Sequence, residues 1–89
     1  MDELLEKRKA KGKRKVTVYS TMNCPYCHMA KDYLAKKNVP FEDVDVGIDR
    51  ARAQEMVDKS GQLGVPVLDI NGNIIIGFDK KAIDVALFG

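Results

Sequence analysis

The chain has 89 residues, enough for one small domain with a single core. Apolar residues make up 45% of it, a proportion typical of globular proteins, so disorder throughout is excluded. No run approaches the roughly 18–20 apolar residues of a membrane helix, and no apolar stretch follows the basic N-terminus as it does in a secretory signal. We therefore expect a soluble, cytoplasmic protein with no membrane partner.

The net charge of +2 is unevenly distributed along the chain. Residues 1–15 carry seven basic and three acidic side chains, whereas residues 16–89 carry eight and ten. We predict that residues 1–14 form a basic N-terminal arm, either disordered or a frayed helix, and that residues 15–89 form the domain. Lys7-Arg8-Lys9 and Lys13-Arg14-Lys15 could attract nucleic acid by charge alone. Since no aromatic residues are interleaved, we favour a solvated arm without a nucleic-acid partner.

The first half of the domain has the pattern of a β-α-β unit. Lys15–Ser20 alternates β-branched and polar residues, which predicts a strand. Apolar groups recur at helical spacing after Cys24, with Met29 interpreted as a core residue, and the helix should end near Asn38 ahead of a proline. Asp43–Val46 is the second predicted strand, parallel to the first because the crossover through a helix is right-handed.

The second half predicts a helix, a hairpin and a last helix. Asp49 is a residue type preferred at N-caps, and Gly61 follows the end of that helical pattern. Asn71-Gly72 between apolar runs is the strongest short-range hairpin signal, and a helical stripe closes the chain. The predicted elements are strands Val67–Ile70 and Asn73–Ile76 and a helix Lys80–Phe88. The whole order, β-α-β-α-β-β-α, indicates an α/β layer fold with helices on both faces of the sheet.

The sequence places its two cysteines at the start of the first helix. Their spacing is too short for a structural staple, which works by closing a long loop. Pro25 suits the first helical turn, so Cys24 lies where free N–H groups and the helix dipole favour a thiolate. Cys27 follows one turn later, with Cα atoms about 5–6 Å apart, a separation that a disulfide accepts. This predicts thiol–disulfide exchange in which Cys24 attacks and Cys27 resolves the mixed disulfide.

Three other interpretations of the pair compete with redox chemistry. Zinc requires four ligands, whereas the chain offers two cysteines and the single His28. Cys24-x-x-Cys27-His28 also matches the haem c attachment motif, although that chemistry belongs to exported chains. Two cysteines that only pack would leave Pro25-Tyr26 at a helix start unexplained. We favour the redox interpretation and expect His28 to be a solvent-exposed side chain.

Three segments in order resemble the dithiol glutaredoxins. Cys24-Pro25-Tyr26-Cys27 after a short strand resembles their active site. Gly64-Val65-Pro66-Val67 is similar to their Thr-Val-Pro segment, in which the proline is cis and faces the cysteines. Ile76-Gly77-Phe78-Asp79 is similar to their Gly-Gly-x-Asp turn. The resemblance spans residues 15–89 and implies a thioredoxin-like fold with a four-stranded mixed sheet flanked by helices.

The resemblance also implies a substrate site around the cysteines. The backbone of Val65, next to a cis Pro66, would pair with the substrate like an added strand. Tyr26 would line the cleft beside the nucleophile. The implied border of a glutathione groove is Gly77, Phe78 and Asp79. The expected partners are disulfide-containing proteins with glutathione as co-substrate, and no tightly bound cofactor or metal is expected.

Departures from the glutaredoxin pattern keep the electron donor open. Ile76 stands where glutaredoxins usually have glycine, Lys80 where they have a polar or acidic residue, and Thr21-Met22-Asn23 lacks their lysine. Gly77-Phe78 is similar to glutaredoxin-like redoxins that serve ribonucleotide reductase and are recharged by thioredoxin reductase. We favour glutathione, with thioredoxin reductase as the alternative. Some glutaredoxins instead carry an iron–sulfur cluster between two monomers, which Pro25 disfavours.

Overall fold

The computed structural model describes residues 15–88, and the predicted N-terminal arm lies outside this range. The elements are β1 (Val16–Ser20), α1 (Pro25–Lys36), β2 (Glu42–Asp45), α2 (Arg50–Ser60), β3 (Val67–Ile70), β4 (Asn73–Ile76) and α3 (Lys80–Phe88). This order confirms the predicted β-α-β-α-β-β-α arrangement. No helix within residues 15–88 is long and apolar enough to cross a membrane.

The strands form one mixed sheet in the order β2-β1-β3-β4. Strand β1 is parallel to β2 and antiparallel to β3, and β3 and β4 form an antiparallel hairpin. The predicted parallel pairing of the first two strands and the predicted hairpin are therefore both confirmed. At the hairpin turn, Asn71 and Gly72 both have positive φ angles, 53° and 92°. This is the backbone that a two-residue turn of type I′ requires.

Helices cover both faces of the sheet. On one face, Leu34 of α1 and Ile83 of α3 share a buried cluster with Val18 of β1. On the other face, Met56 of α2 packs with Tyr19 and other apolar residues. Because it is central and covered on both sides, β1 is buried along its whole length, including its polar residues. The alternation that predicted β1 therefore does not mark an exposed face.

Two details of the predicted elements were wrong. Strand β2 spans Glu42–Asp45 and not Asp43–Val46, because its partner β1 ends at Ser20, which pairs with Asp45. Met29 is 46% exposed and does not belong to the core. The buried stripe of α1 is formed by Cys27, Ala30 and Leu34, and Met29 lies beside it. Residues adjacent in a helix point about 100° apart, so the stripe excludes it.

A polar network fastens α2 to the sheet at Tyr19. This buried tyrosine donates its hydroxyl hydrogen to Glu55 and accepts a hydrogen bond from Lys59 Nζ at 2.8 Å. Lys59 Nζ also lies 2.6 Å from Asp69 Oδ2 on β3. Since burying a hydroxyl without a partner is costly, these bonds explain how a tyrosine occupies the core beneath α2.

The network continues along α2 through Arg52. Its guanidinium lies 3.1 Å from Glu55 Oε1 and 3.0 Å from Glu42 Oε2 on β2. The hydrogen bond from Tyr19, assisted by Arg52, lowers the pKa of Glu55. The hydrogen bond from Arg52 likewise lowers the pKa of Glu42. Glu42 and Glu55 therefore stabilise the folded state more when they are ionised than when they are protonated.

The lowered pKa values predict acid sensitivity. A carboxylate whose pKa is lower in the folded chain contributes stability above its unfolded pKa and loses it as the pH falls through the folded pKa. We expect the free energy of unfolding to decrease between about pH 5 and about pH 3. Glu55→Gln should flatten this decrease, whereas Asp32→Asn on the exposed surface of α1 should not. Urea unfolding at a series of pH values measures the effect, and an unchanged slope in the Glu55 variant would contradict it.

Candidate functional site

The register of the sheet brings three chain segments to one end. Tyr19, next to the last residue of β1, pairs with Val67, the first residue of β3. Val67 pairs in turn with Ile76, the last residue of β4. The segment after β1, the segment before β3 and the segment after β4 therefore emerge side by side. They carry the three motifs that resemble the glutaredoxins.

The first segment carries the cysteines into α1. Cys24 is the N-cap residue, in an extended conformation with φ −118° and ψ 104°, and Pro25 is the first helical residue. The sulfur of Cys24 accepts a hydrogen bond of 3.1 Å from the backbone N–H of Cys27. The two cysteines form a disulfide with their Cα atoms 5.1 Å apart. The helix start and the pairing geometry are as the spacing predicted.

The two cysteines differ in accessibility. Cys24 keeps 8% of its surface exposed, whereas Cys27 is completely buried. Tyr26, between them in sequence, is 62% exposed, and Met22 on the preceding loop is also exposed. A molecule approaching the disulfide from solvent therefore meets Cys24 first, with Tyr26 beside it.

The second segment is the turn before β3. The Val65-Pro66 peptide bond is cis, as the family resemblance implied. Pro66 is fully buried, and Val65 is half-buried against the core beneath α2. The carbonyl of Pro66 accepts a hydrogen bond of 2.8 Å from the backbone N–H of Gly77. This bond joins the second segment to the third.

The third segment, from Gly77 to Asp79, leads into α3. Gly77 has a φ of 85°, in the left-handed region that favours glycine. Phe78 is half-buried and meets the ring of Tyr33 edge to face, with centroids 5.9 Å apart. Asp79 Oδ1 accepts a 3.1 Å hydrogen bond from Ala82 N and so caps α3. Phe78 and Asp79 thus have structural partners of their own at the predicted groove.

The positions that depart from the glutaredoxin pattern shape the surface next to these segments. Ile76 is 53% exposed at the end of β4. The ammonium of Lys80 lies 5.6 Å from the centroid of the Tyr33 ring, which Lys37 approaches at 5.2 Å. Both are within the range of a cation–π contact. The apolar side chain of Ile76 therefore occupies the position of a glycine in the glutaredoxin pattern. Lys80, with its ammonium near the Tyr33 ring, occupies the position of a polar or acidic residue.

His28 lies next to the cysteines on α1. It is exposed, as predicted, but its ring also contacts the loop that precedes Cys24, a contact that sequence reasoning missed. No helical pattern could have revealed this contact because it depends on the path of the loop. Among residues 15–88, no three His, Cys, Asp or Glu side chains come together as a metal-binding group.

The first two segments lie within the part of the chain that matches a known protein family. The sequence model of the glutaredoxin family matches residues 16–75. The chain belongs to the glutaredoxin family. It is 49% identical over 69 residues to a glutaredoxin-like 8.6 kDa protein of the rubredoxin operon of Clostridium pasteurianum, covering 78% of this chain and 92% of that one. It is 38% identical over 64 residues to glutaredoxin 3 of Escherichia coli, covering 72% and 77%.

Solved structures confirm the thioredoxin-like fold. The thioredoxin-like protein BC3987 superimposes with a TM-score of 0.77 at 29% identity, covering 82% of this chain and 100% of that one. The glutaredoxin-like NrdH-redoxin of Escherichia coli gives 0.72 at 21% identity, covering 80% and 92%. The second similarity concerns the fold alone. Family membership and the paired cysteines together identify a thiol–disulfide oxidoreductase of the glutaredoxin type that works by dithiol exchange.

Replacing Gly77 tests whether the third segment belongs to the glutaredoxin site. A Cβ at Gly77 meets nothing within 4 Å, so Gly77→Ala costs about 1 kcal/mol through its backbone conformation only. Gly61, which ends α2 with a φ of 76° and equally open space, is a matched control. Urea unfolding should show similar losses for both variants. In a disulfide-reduction assay, kcat/KM should fall severalfold for Gly77→Ala only; equal activities would contradict the assignment.

Proposed function

We propose that this glutaredoxin reduces disulfides in proteins and mixed disulfides with glutathione, with Cys24 as the nucleophile and Cys27 as the resolving thiol. The unequal burial of the two cysteines, with a small exposed surface left on Cys24 and none on Cys27, is the observation that carries this assignment. An intermolecular disulfide can only form on a sulfur that a second molecule reaches. The buried sulfur is then left for the intramolecular step, which needs no access from solvent.

The proposed reaction transfers two electrons in two exchanges. The Cys24 thiolate attacks one sulfur of the substrate disulfide, forms a mixed disulfide and releases the other sulfur as a thiolate, which takes a proton from solvent. The Cys27 thiolate then attacks Cys24 Sγ. This forms the Cys24–Cys27 disulfide and releases the second substrate thiolate. The substrate is reduced to a dithiol and the protein is oxidised to its disulfide state.

The helix start supports the first step. Cys24 Sγ already accepts the N–H of Cys27, and a thiolate accepts such a bond more strongly than a thiol does. The N-terminal end of α1 adds the positive end of the helix dipole. Both effects stabilise the negative charge of the Cys24 thiolate when it attacks the substrate. They stabilise the same charge when Cys24 is released as a thiolate in the reverse reaction.

We propose that Val65 and Tyr26 hold the substrate during the exchange. The turn at Val65 emerges beside the cysteine turn, and a substrate backbone could pair there without its side chains being read. Tyr26 offers a large exposed surface next to Cys24. Such a site accepts many protein disulfides. The reaction needs a compartment that keeps the dithiol reduced, so we propose the cytoplasm.

We propose glutathione as the reductant that restores the dithiol. The cysteine motif and the Val65-Pro66 turn support this choice. One observation favours recharging by thioredoxin reductase instead. Ile76 is 53% exposed beside the implied groove, and its apolar side chain cannot form hydrogen bonds with the charged groups of glutathione. We propose no bound iron–sulfur cluster, so the purified protein should be colourless.

Serine variants test the two cysteine roles separately. Cys24→Ser should abolish turnover in an NADPH-coupled disulfide-reduction assay because it removes the nucleophile. In the Cys27→Ser variant, Cys24 should still attack a protein disulfide, but the mixed disulfide should not be resolved. The substrate then stays bound to Cys24 as a covalent adduct that mass spectrometry detects. Turnover by Cys24→Ser, or an adduct found on Cys27 in that variant, would show that the roles are reversed.

Parallel assays with two recharging systems test the electron donor. One supplies glutathione and glutathione reductase, and the other supplies thioredoxin reductase alone, each with NADPH and the same small disulfide. We expect turnover with glutathione. Turnover with thioredoxin reductase alone would contradict this choice. Ile76→Gly should then improve the weak glutathione reaction, whereas Ile48→Gly, at an exposed position in the turn after β2, should not.

A further inference from the structure

The loop Thr21–Asn23 connects β1 to Cys24, and His28 fastens it to α1. The Nε2 atom of His28 lies 3.3 Å from the carbonyl oxygen of Met22. The backbone N–H of the same residue donates to the carbonyl of Cys24 at 3.1 Å. His28 thus bonds to the carbonyl groups of Met22 and Cys24, the two residues on either side of Asn23. The segment that delivers the nucleophile to its position is held at both points.

A second set of contacts, which does not involve His28, holds the end of β1 next to α1. Lys31, one turn further along α1, lies 3.0 Å from Asp43 Oδ2 and donates to Ser20 Oγ at 3.4 Å. Ser20 Oγ donates to Asp43 Oδ1 at 3.0 Å. These contacts anchor the end of β1, so the loop is fixed at its origin without His28. Lys31, Asp43 and Asp45 are the charged side chains that line the small cavity of about 210 Å³ at His28.

We infer that His28 is a positioning residue for Cys24. With Nε2 protonated, the ring donates a hydrogen bond to Met22 O and keeps the loop against α1. Cys24 then retains the N-cap conformation in which its sulfur accepts the N–H of Cys27. When this bond is lost, the loop gains freedom and the sulfur spends less time in contact with the N–H. The inference rests on the proposed role of Cys24 as nucleophile.

The contact assigns positioning rather than proton transfer to His28. Its ring nitrogen faces a backbone carbonyl of the same chain, which is not a reacting group. A histidine acting through its charge would need only to be near the sulfur. A histidine acting through the hydrogen bond can be replaced by an uncharged donor of similar reach. Glutamine, whose Nε2 amide occupies nearly the same place as the imidazole Nε2, is such a donor.

The pH dependence of alkylation tests the inference directly. In a Cys27→Ser background, iodoacetamide reports on Cys24 alone, and the rate follows the thiolate fraction. His28→Ala should move the midpoint of the pH–rate curve upwards by about half to one pH unit, slowing alkylation below the midpoint about three- to tenfold. His28→Gln should restore the original curve. Lys36→Ala, in the last turn of α1, is the control and should leave it unchanged.

Each outcome decides the inference. A His28→Ala curve that coincides with the unmodified one overturns it. Equal displacements for the alanine and glutamine variants also overturn it, because the histidine would then act by charge. Urea unfolding shows whether a variant is folded, and a loss of stability without a displaced curve means a purely structural role. If Cys24→Ser retains turnover, the proposed function fails, whatever the histidine variants show.

Discussion

The antiparallel pairing of β1 with β3 is the contact on which the redox site depends. It sets Tyr19 opposite Val67, so the chain that leaves β1 for the cysteines lies next to the chain that enters β3 through Pro66. The hairpin then returns Gly77 to the same place, where its N–H bonds to the Pro66 carbonyl. A shift of this register by one residue would turn every side chain of β3 to the opposite face and separate the three segments.

The chemistry follows from how α1 begins at that end of the sheet. An N-cap usually carries an oxygen that accepts a helix N–H, and here a sulfur takes that place. The same bond that caps the helix therefore prepares the sulfur for its ionised form. The two cysteines differ in burial, since Cys24 keeps a small exposed surface and Cys27 keeps none, which is the basis of the roles proposed for them. Around them, Ile76 and Lys80, whose ammonium lies near the Tyr33 ring, give this family member a surface that differs from the glutaredoxin pattern.

Local signals predicted most of the fold. Asn71-Gly72 fixed both ends of the hairpin, because a two-residue turn leaves no freedom in register. Asp49 and Gly61 bounded α2 for similarly local reasons, and Cys24-Pro25 marked the start of α1. Long-range contacts were beyond reach. The network around Tyr19 joins residues 36 and 40 positions apart, and no local pattern encodes such a partnership. The ring contact of His28 likewise depends on a loop path that only the folded chain defines.

The convergence of the three segments on one substrate site is best tested by NMR. Backbone amide shifts of the Cys27→Ser protein would be compared before and after Cys24 forms a mixed disulfide with glutathione. The structure predicts shift changes at Val65 and Gly77 as well as around Cys24, and none at Gly72 in the hairpin turn at the far end of the sheet. Changes confined to the start of α1, with Val65 and Gly77 unaffected, would contradict a site built from all three segments.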